Sequence, residues 1–81
     1  MLTDKEVENI IDDLEKVFGH DTIVYQHMDK YKEWLDITLL ENIEITSNDF
    51  PHLLTIAENC GLHISIYVYD TSQLAIFLRR K

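Results

Sequence analysis

A single cysteine, a single proline and two glycines are all the punctuation this 81-residue chain carries. One cysteine excludes an internal disulfide framework and leaves no argument for an oxidising compartment. Two glycines are too few for a phosphate-cradling loop, which needs several within one short stretch. No linker or low-complexity segment interrupts residues 1–81, so they read as a single α+β domain. No apolar run approaches the roughly 18 residues of a membrane span, so no membrane partner is expected. The opening residues Met1-Leu2-Thr3-Asp4-Lys5-Glu6 are charged at once and hold no apolar signal stretch. A cytoplasmic protein is the expectation.

Basic residues are scarce as well: seven lysines and arginines stand against fifteen carboxylates, a net charge of −8. The imbalance is local. Residues 1–49 hold thirteen of the carboxylates and four lysines, whereas residues 50–81 hold two carboxylates against Arg79, Arg80 and Lys81. An acidic half disfavours phosphate backbones and anionic lipid, and favours basic protein surfaces.

What is present begins with a strong helix signal. Thr3 and Glu6 match a capping box, and Leu2 and Val7 match a hydrophobic staple. Val7, Ile10, Ile11, Leu14, Val17 and Phe18 follow the helical period up to Gly19, a suitable C-terminal stop. A second helix follows the cap-rich Thr46-Ser47-Asn48-Asp49, with Pro51 in its first turn. Its expected buried stripe is Phe50, Leu53, Leu54, Ala57 and Cys60, closed by Gly61.

Strand signals fill the rest. Ile64, Ile66 and Val68 alternate with Ser65, Tyr67 and Tyr69, and Leu74, Ile76 and Leu78 alternate with Ala75 and Phe77. The turn-forming Asp70-Thr71-Ser72 makes these runs a hairpin. Trp34–Leu40 alternates too, and the same parity resumes at Ile43 and Ile45, which predicts either a bent strand or an additional short one. Ile23–Met28 opens like a strand, although Val24, Met28, Tyr31 and Leu35 also fit a helical stripe. The order expected is α-β-β-(β)-α-β-β: an antiparallel sheet of four to five strands with two helices on one face, and a core containing Ile11, Leu14, Leu53, Leu54, Ile66 and Ile76.

Two surfaces stand out as partner-binding candidates. Asp4, Glu8, Asp12 and Glu15 recur every three to four residues, so they form a carboxylate ridge on the first helix, expected opposite its core face. It spans roughly 16 Å at 1.5 Å per residue. Further acids at Asp21, Asp29, Glu33, Asp36, Glu41 and Glu44 extend the negative field. The second surface is the far side of the sheet, where alternation gathers Trp34, Tyr67, Tyr69 and Phe77, residue types favoured as interface anchors. Aromatic sheets also suit single-stranded nucleic acid, but such platforms need a positive groove, and here Glu33, Asp36 and Asp70 lie nearby. Nucleic acid is therefore not the expected partner.

Catalytic and metal chemistry find little support. Cys60-Gly61-Leu62-His63 offers two ligands at C-x₂-H spacing, but no second close pair completes a zinc site, since His20 and His27 are too far apart in register and His52 stands alone. Ser47 and Ser65 lie in no nucleophile elbow. Asp12 and Asp13 diverge by about 100° on a helix and do not converge on a substrate. No cofactor, metal or catalytic residue is nominated. The function expected is a small acidic, non-enzymatic binding protein that inhibits or regulates a basic partner. The alternatives are a homodimer joined through the aromatic sheet face and, more remotely, a small enzyme with an unrecognised site.

Overall fold

The capping box forms as its spacing requires: the Glu6 N–H donates to the Thr3 hydroxyl at 3.1 Å, and the Thr3 N–H donates to the Glu6 carboxylate at 3.0 Å. In the computed structural model, which describes all of Met1–Lys81, this cap starts α1 (Asp4–Phe18). The remaining elements are β1 (Ile23–Met28), β2 (Trp34–Leu39), α2 (Phe50–Asn59), β3 (Leu62–Asp70) and β4 (Gln73–Arg80). The sheet order is β1-β2-β4-β3, antiparallel throughout. Two helix–hairpin units therefore meet through their second strands, and their first strands form the two edges. The α+β class and the element order are those the periodicity implied.

The ambiguous segment Ile23–Met28 is a strand, with a bulge at Val24 where the register to β2 shifts by one residue. No strand forms at Ile43 and Ile45. Asn42 adopts φ 66° and its N–H donates to the Ser72 carbonyl, which turns the chain off the sheet. The β1 ladder ends opposite Leu39 and the β4 ladder opposite Thr38, so a continuation of β2 has no neighbour to pair with. Ile43 and Ile45 instead pack half-buried against the core.

That core lies between the helices and one sheet face. Leu2, Ile10 and Leu14 meet Leu35, Ile37, Leu39, Ile76 and Leu78, with Leu53, Ile56, Ala57 and Leu62 completing it. Ile11 and Ile66 are only partly buried at its margin. Leu54 and Phe50 are not in it at all: they are 50% and 47% exposed, and Ile56 takes their place. The reason is the neighbouring helix. The groove between α1 and α2 is lined by His52, Thr55, Ile56 and Asn59, so α2 is rotated to pack Ile56 toward α1, which carries Leu54 round to the opposite flank. Asp49, at the N-cap, does not cap α2; its carboxylate accepts from the Thr46 N–H and hydroxyl. At the other end Gly61 adopts φ 65°, a conformation that suits glycine, and delivers Leu62 to the core.

Candidate functional site

The carboxylate ridge is real as a row but not in its expected orientation. It runs along the flank of α1 that overlooks β1. There Asp4, Glu8 and Asp12 line an open groove of about 290 Å³ together with Val7, Ile11 and Gln26. Helical spacing sets the three acids on one side, and the partly buried Val7 and Ile11 lie beneath them at the core margin. Gln26 comes from β1, on the same sheet side as its ladder partner Ile37. The groove is thus acidic above an apolar floor.

The ion pairs of the fold are Lys16–Asp13 and Arg80–Glu6, and His20 Nδ1 lies 3.4 Å from the Glu15 carboxylate. Asp4, Glu8 and Asp12 have no cationic partner. Glu15 leaves the group: it is half-buried, 3.4 Å from His20, and shares a separate hollow with Asp12, Lys16 and His20. Three of the four ridge residues therefore converge.

The far side of the sheet carries the aromatic residues, but as a connected ladder. Trp34 and Phe77 pack at 5.5 Å between centroids with their planes tilted by 40°, His27 tilts against Trp34 at 5.4 Å, and Tyr25 lies parallel to His27 at 6.3 Å. Tyr67 reaches across β4 from β3, and its hydroxyl donates to the Asp36 carboxylate on β2 at 2.7 Å. Beneath it Ala75, its ladder partner, is fully buried, and Thr38 is nearly so. Tyr69 sits where β3 bulges before the turn and is 60% exposed. Trp34, Phe77 and Tyr67 are thus engaged with one another's neighbours across strands, and Tyr25 and Tyr69 are the most exposed members.

Burial pushes the Tyr67 hydroxyl up to about 12, with the hydrogen bond to Asp36 and the Asp36 charge adding to it. The folded state thus favours neutral Tyr67. Its contribution to stability is complete below the ordinary tyrosine value of about 10 and is lost as pH rises from there through about 12. Asp36→Asn is expected to lower the Tyr67 titration toward the ordinary value and to narrow that window of alkaline loss. Ultraviolet titration of the phenol checks it; an unchanged midpoint in the variant would mean that Asp36 does not control this hydroxyl.

Between the helices lies a polar groove of about 350 Å³ containing Glu6, Asn9, Asp13, Lys16, Asn59 and Cys60. Desolvation raises the Cys60 thiol, and the charges of Glu6 and Asp13 raise it further against the opposing pull of Arg80. Such a thiol stays protonated at neutral pH and is a poor nucleophile or metal ligand. No three metal-ligating side chains converge anywhere in the fold.

The sequence pattern missed Tyr25, His27 and Asp36 on the aromatic side, and Val7, Ile11 and Gln26 in the groove. Tyr25 and His27 share one parity in Ile23–Met28, a signal masked by the competing helical stripe. No helix is long and apolar enough to cross a membrane. No protein-family model matches the chain, and comparison with curated proteins and with solved structures gives no significant match.

Proposed function

We propose that this chain is a small acidic, non-enzymatic binding protein whose α1–β1 groove holds a basic protein surface and thereby inhibits or regulates that partner. The observation that carries the reading is the convergence of Asp4, Glu8 and Asp12 on one groove with no ion pair made to any of them. Like charges four residues apart cost a helix a few tenths of a kcal/mol per pair. Only Asp4 stands in the first turn, where the helix dipole offsets that cost. A lysine or arginine from a partner would relieve it, laying its aliphatic stem over Val7 and Ile11 and its cation among the carboxylates. A partner whose own ligand is anionic would lose access to that ligand while so held.

The experiment begins with a pull-down from the native host, followed by association kinetics with the captured protein. Charge steering predicts an on-rate that falls steeply with salt. Reversing Glu8 and Asp12 to lysine is expected to slow association by about tenfold or more at low salt and to flatten the salt dependence. Thermal melting of the double variant should be unchanged or slightly higher, because both side chains are exposed and their repulsion is removed. Glu15→Gln, directed at His20 instead, should have little effect on binding. A partner whose affinity ignores both salt and the two reversals would refute the groove.

A further inference from the structure

The two edges of the sheet are built differently, and the difference concerns hydrogen bonds the fold leaves unmade. The Arg80 N–H donates to the Glu33 carbonyl at 3.0 Å, which points the backbone of Arg80 toward β2. Backbone direction alternates along a strand, so Arg79, Phe77 and Ala75 point toward β3, where their ladder partners are His63, Ser65 and Tyr67. The Lys81 N–H to Gly61 carbonyl bond keeps the same parity. It follows that the N–H and C=O groups of Leu62, Ile64, Ile66 and Val68 face outward along the free edge of β3.

Natural sheets defend such edges with charges, prolines or bulges. β1 is defended by the bulge at Val24 and by Asp21, Asp29 and Lys30 at its ends. β3 is defended only at its turn end, by the bulge at Tyr69 and by Asp70; from Leu62 to Val68 it contains no carboxylate, lysine, arginine or proline. Val68 is 69% exposed, and Phe50 and Leu54 project from the flank of α2 turned away from α1. α2 packs on β3, so this exposed apolar flank lies over the same half of the sheet as that open edge.

We infer that β3 pairs antiparallel with β3 of a second copy of this chain, joining two sheets into one of eight strands. The strand is self-complementary about Ile66. With Ile66 opposite its own copy, Ile64 meets Val68 on the helix side of the sheet, and Ser65 meets Tyr67 on the aromatic side. Outward-facing residues then oppose one another, as a hydrogen-bonded antiparallel pair requires. The same register brings Asp70 of the second copy to Leu62, beside Lys81, whose N–H bonds the adjacent Gly61 carbonyl. Twofold symmetry makes this opposite-charge contact twice. It also holds the acidic grooves apart, since each lies beside β1 at the outer edges of the joined sheet. Pairing through β1 would instead bring the two carboxylate rows together.

Light scattering across a concentration series is expected to show twice the chain mass at about 100 µM. Amide hydrogen exchange gives the decisive pattern. Protection at Ile64, Ile66 and Val68 should rise with concentration, while Ser65 and Tyr67, bonded to β4 within each copy, stay protected throughout. Val68→Lys, a charge at an already exposed position, should restore the monomer with the β4-bonded amides still protected. A monomer at several hundred micromolar would overturn the inference. So would a dimer whose Ile64, Ile66 and Val68 amides ignore concentration, since its contact would then be another surface, such as the aromatic face.

Discussion

Leu14→Ala is expected to destabilise the fold by about 2–4 kcal/mol, the usual cost of emptying a buried leucine site. Leu14 is fully buried, at the point where α1 meets the sheet residues of both hairpins. A domain of this size has about 4–12 kcal/mol in total, so the loss is a large fraction and should lower Tm on the order of 10–25 °C. The informative comparison is Leu54→Ala, the same change on α2. Leu54 is half exposed, so its truncation should cost less than about 1 kcal/mol when measured on the Val68→Lys background, where edge pairing is removed. Ile56→Ala, at a residue the helical pattern did not single out, should behave like Leu14→Ala. Denaturant melts of the three variants check this; equal losses at Leu14 and Leu54 would contradict the observed rotation of α2.

That comparison also shows what the chain's periodicity conveys and what it omits. α1 was legible down to its cap, because Thr3, Glu6 and the apolar stripe all act within one helix and need no tertiary information. The β3–β4 hairpin was legible for the same reason, its alternation and turn being local. The rotation of α2 was not. Its Ile56, Leu53, Ala57, Phe50 and Leu54 side chains spread over about 160° of the helix at 100° per residue, and only contact with α1 decides that Ile56 is buried and Leu54 exposed. The fate of Ile43 and Ile45 was hidden similarly: their alternation suits a strand, but an available sheet edge is a property of topology.

The candidate sites divide along the same line. The carboxylate row was visible because spacing of four is a helical property, yet its position beside β1, above Gln26, depends on where α1 lies over the sheet. The aromatic face was visible as parity on β2, β3 and β4. Its connectedness was not, because the tilted packing of His27 on Trp34 and the reach of Tyr67 to Asp36 depend on strand order. Strand order also separates the two interaction surfaces. The acidic groove adjoins one edge strand and the backbone edge proposed for pairing lies on the other, so the two proposed contacts would not compete.

Arg80→Met should be the other severe substitution, although arginine at a chain end is ordinarily expendable. One guanidinium nitrogen donates to the Cys60 carbonyl at 3.0 Å; the other donates to the Met1 carbonyl at 2.6 Å and lies 3.4 Å from the Glu6 carboxylate. The end of β4 thereby holds the end of α2, the start of α1 and the N-terminal residue, beside which Leu2 is fully buried and bonded to the Lys32 carbonyl. Charge-assisted hydrogen bonds contribute about 1.5–3 kcal/mol each at most and are not additive, so a total loss of about 2–3 kcal/mol is expected. Arg80→Lys should recover only part of it, because a single ammonium cannot serve the Cys60 and Met1 carbonyls together as a planar fork does. The loss should also depend on pH. The Thr3 backbone N–H, with help from Arg80, holds the Glu6 carboxyl below the usual carboxylate range. That contribution is present above the unfolded value of about 4.3 and fades as pH falls through the lower folded value. The gap between wild type and Arg80→Met should therefore be wider near pH 7 than in acid, narrowing as Glu6 takes up its proton and the carbonyl bonds are left to distinguish them. Melts at pH 7 and pH 3 check this; a lysine variant as stable as the wild type would show that charge alone, and not the fork, secures this corner.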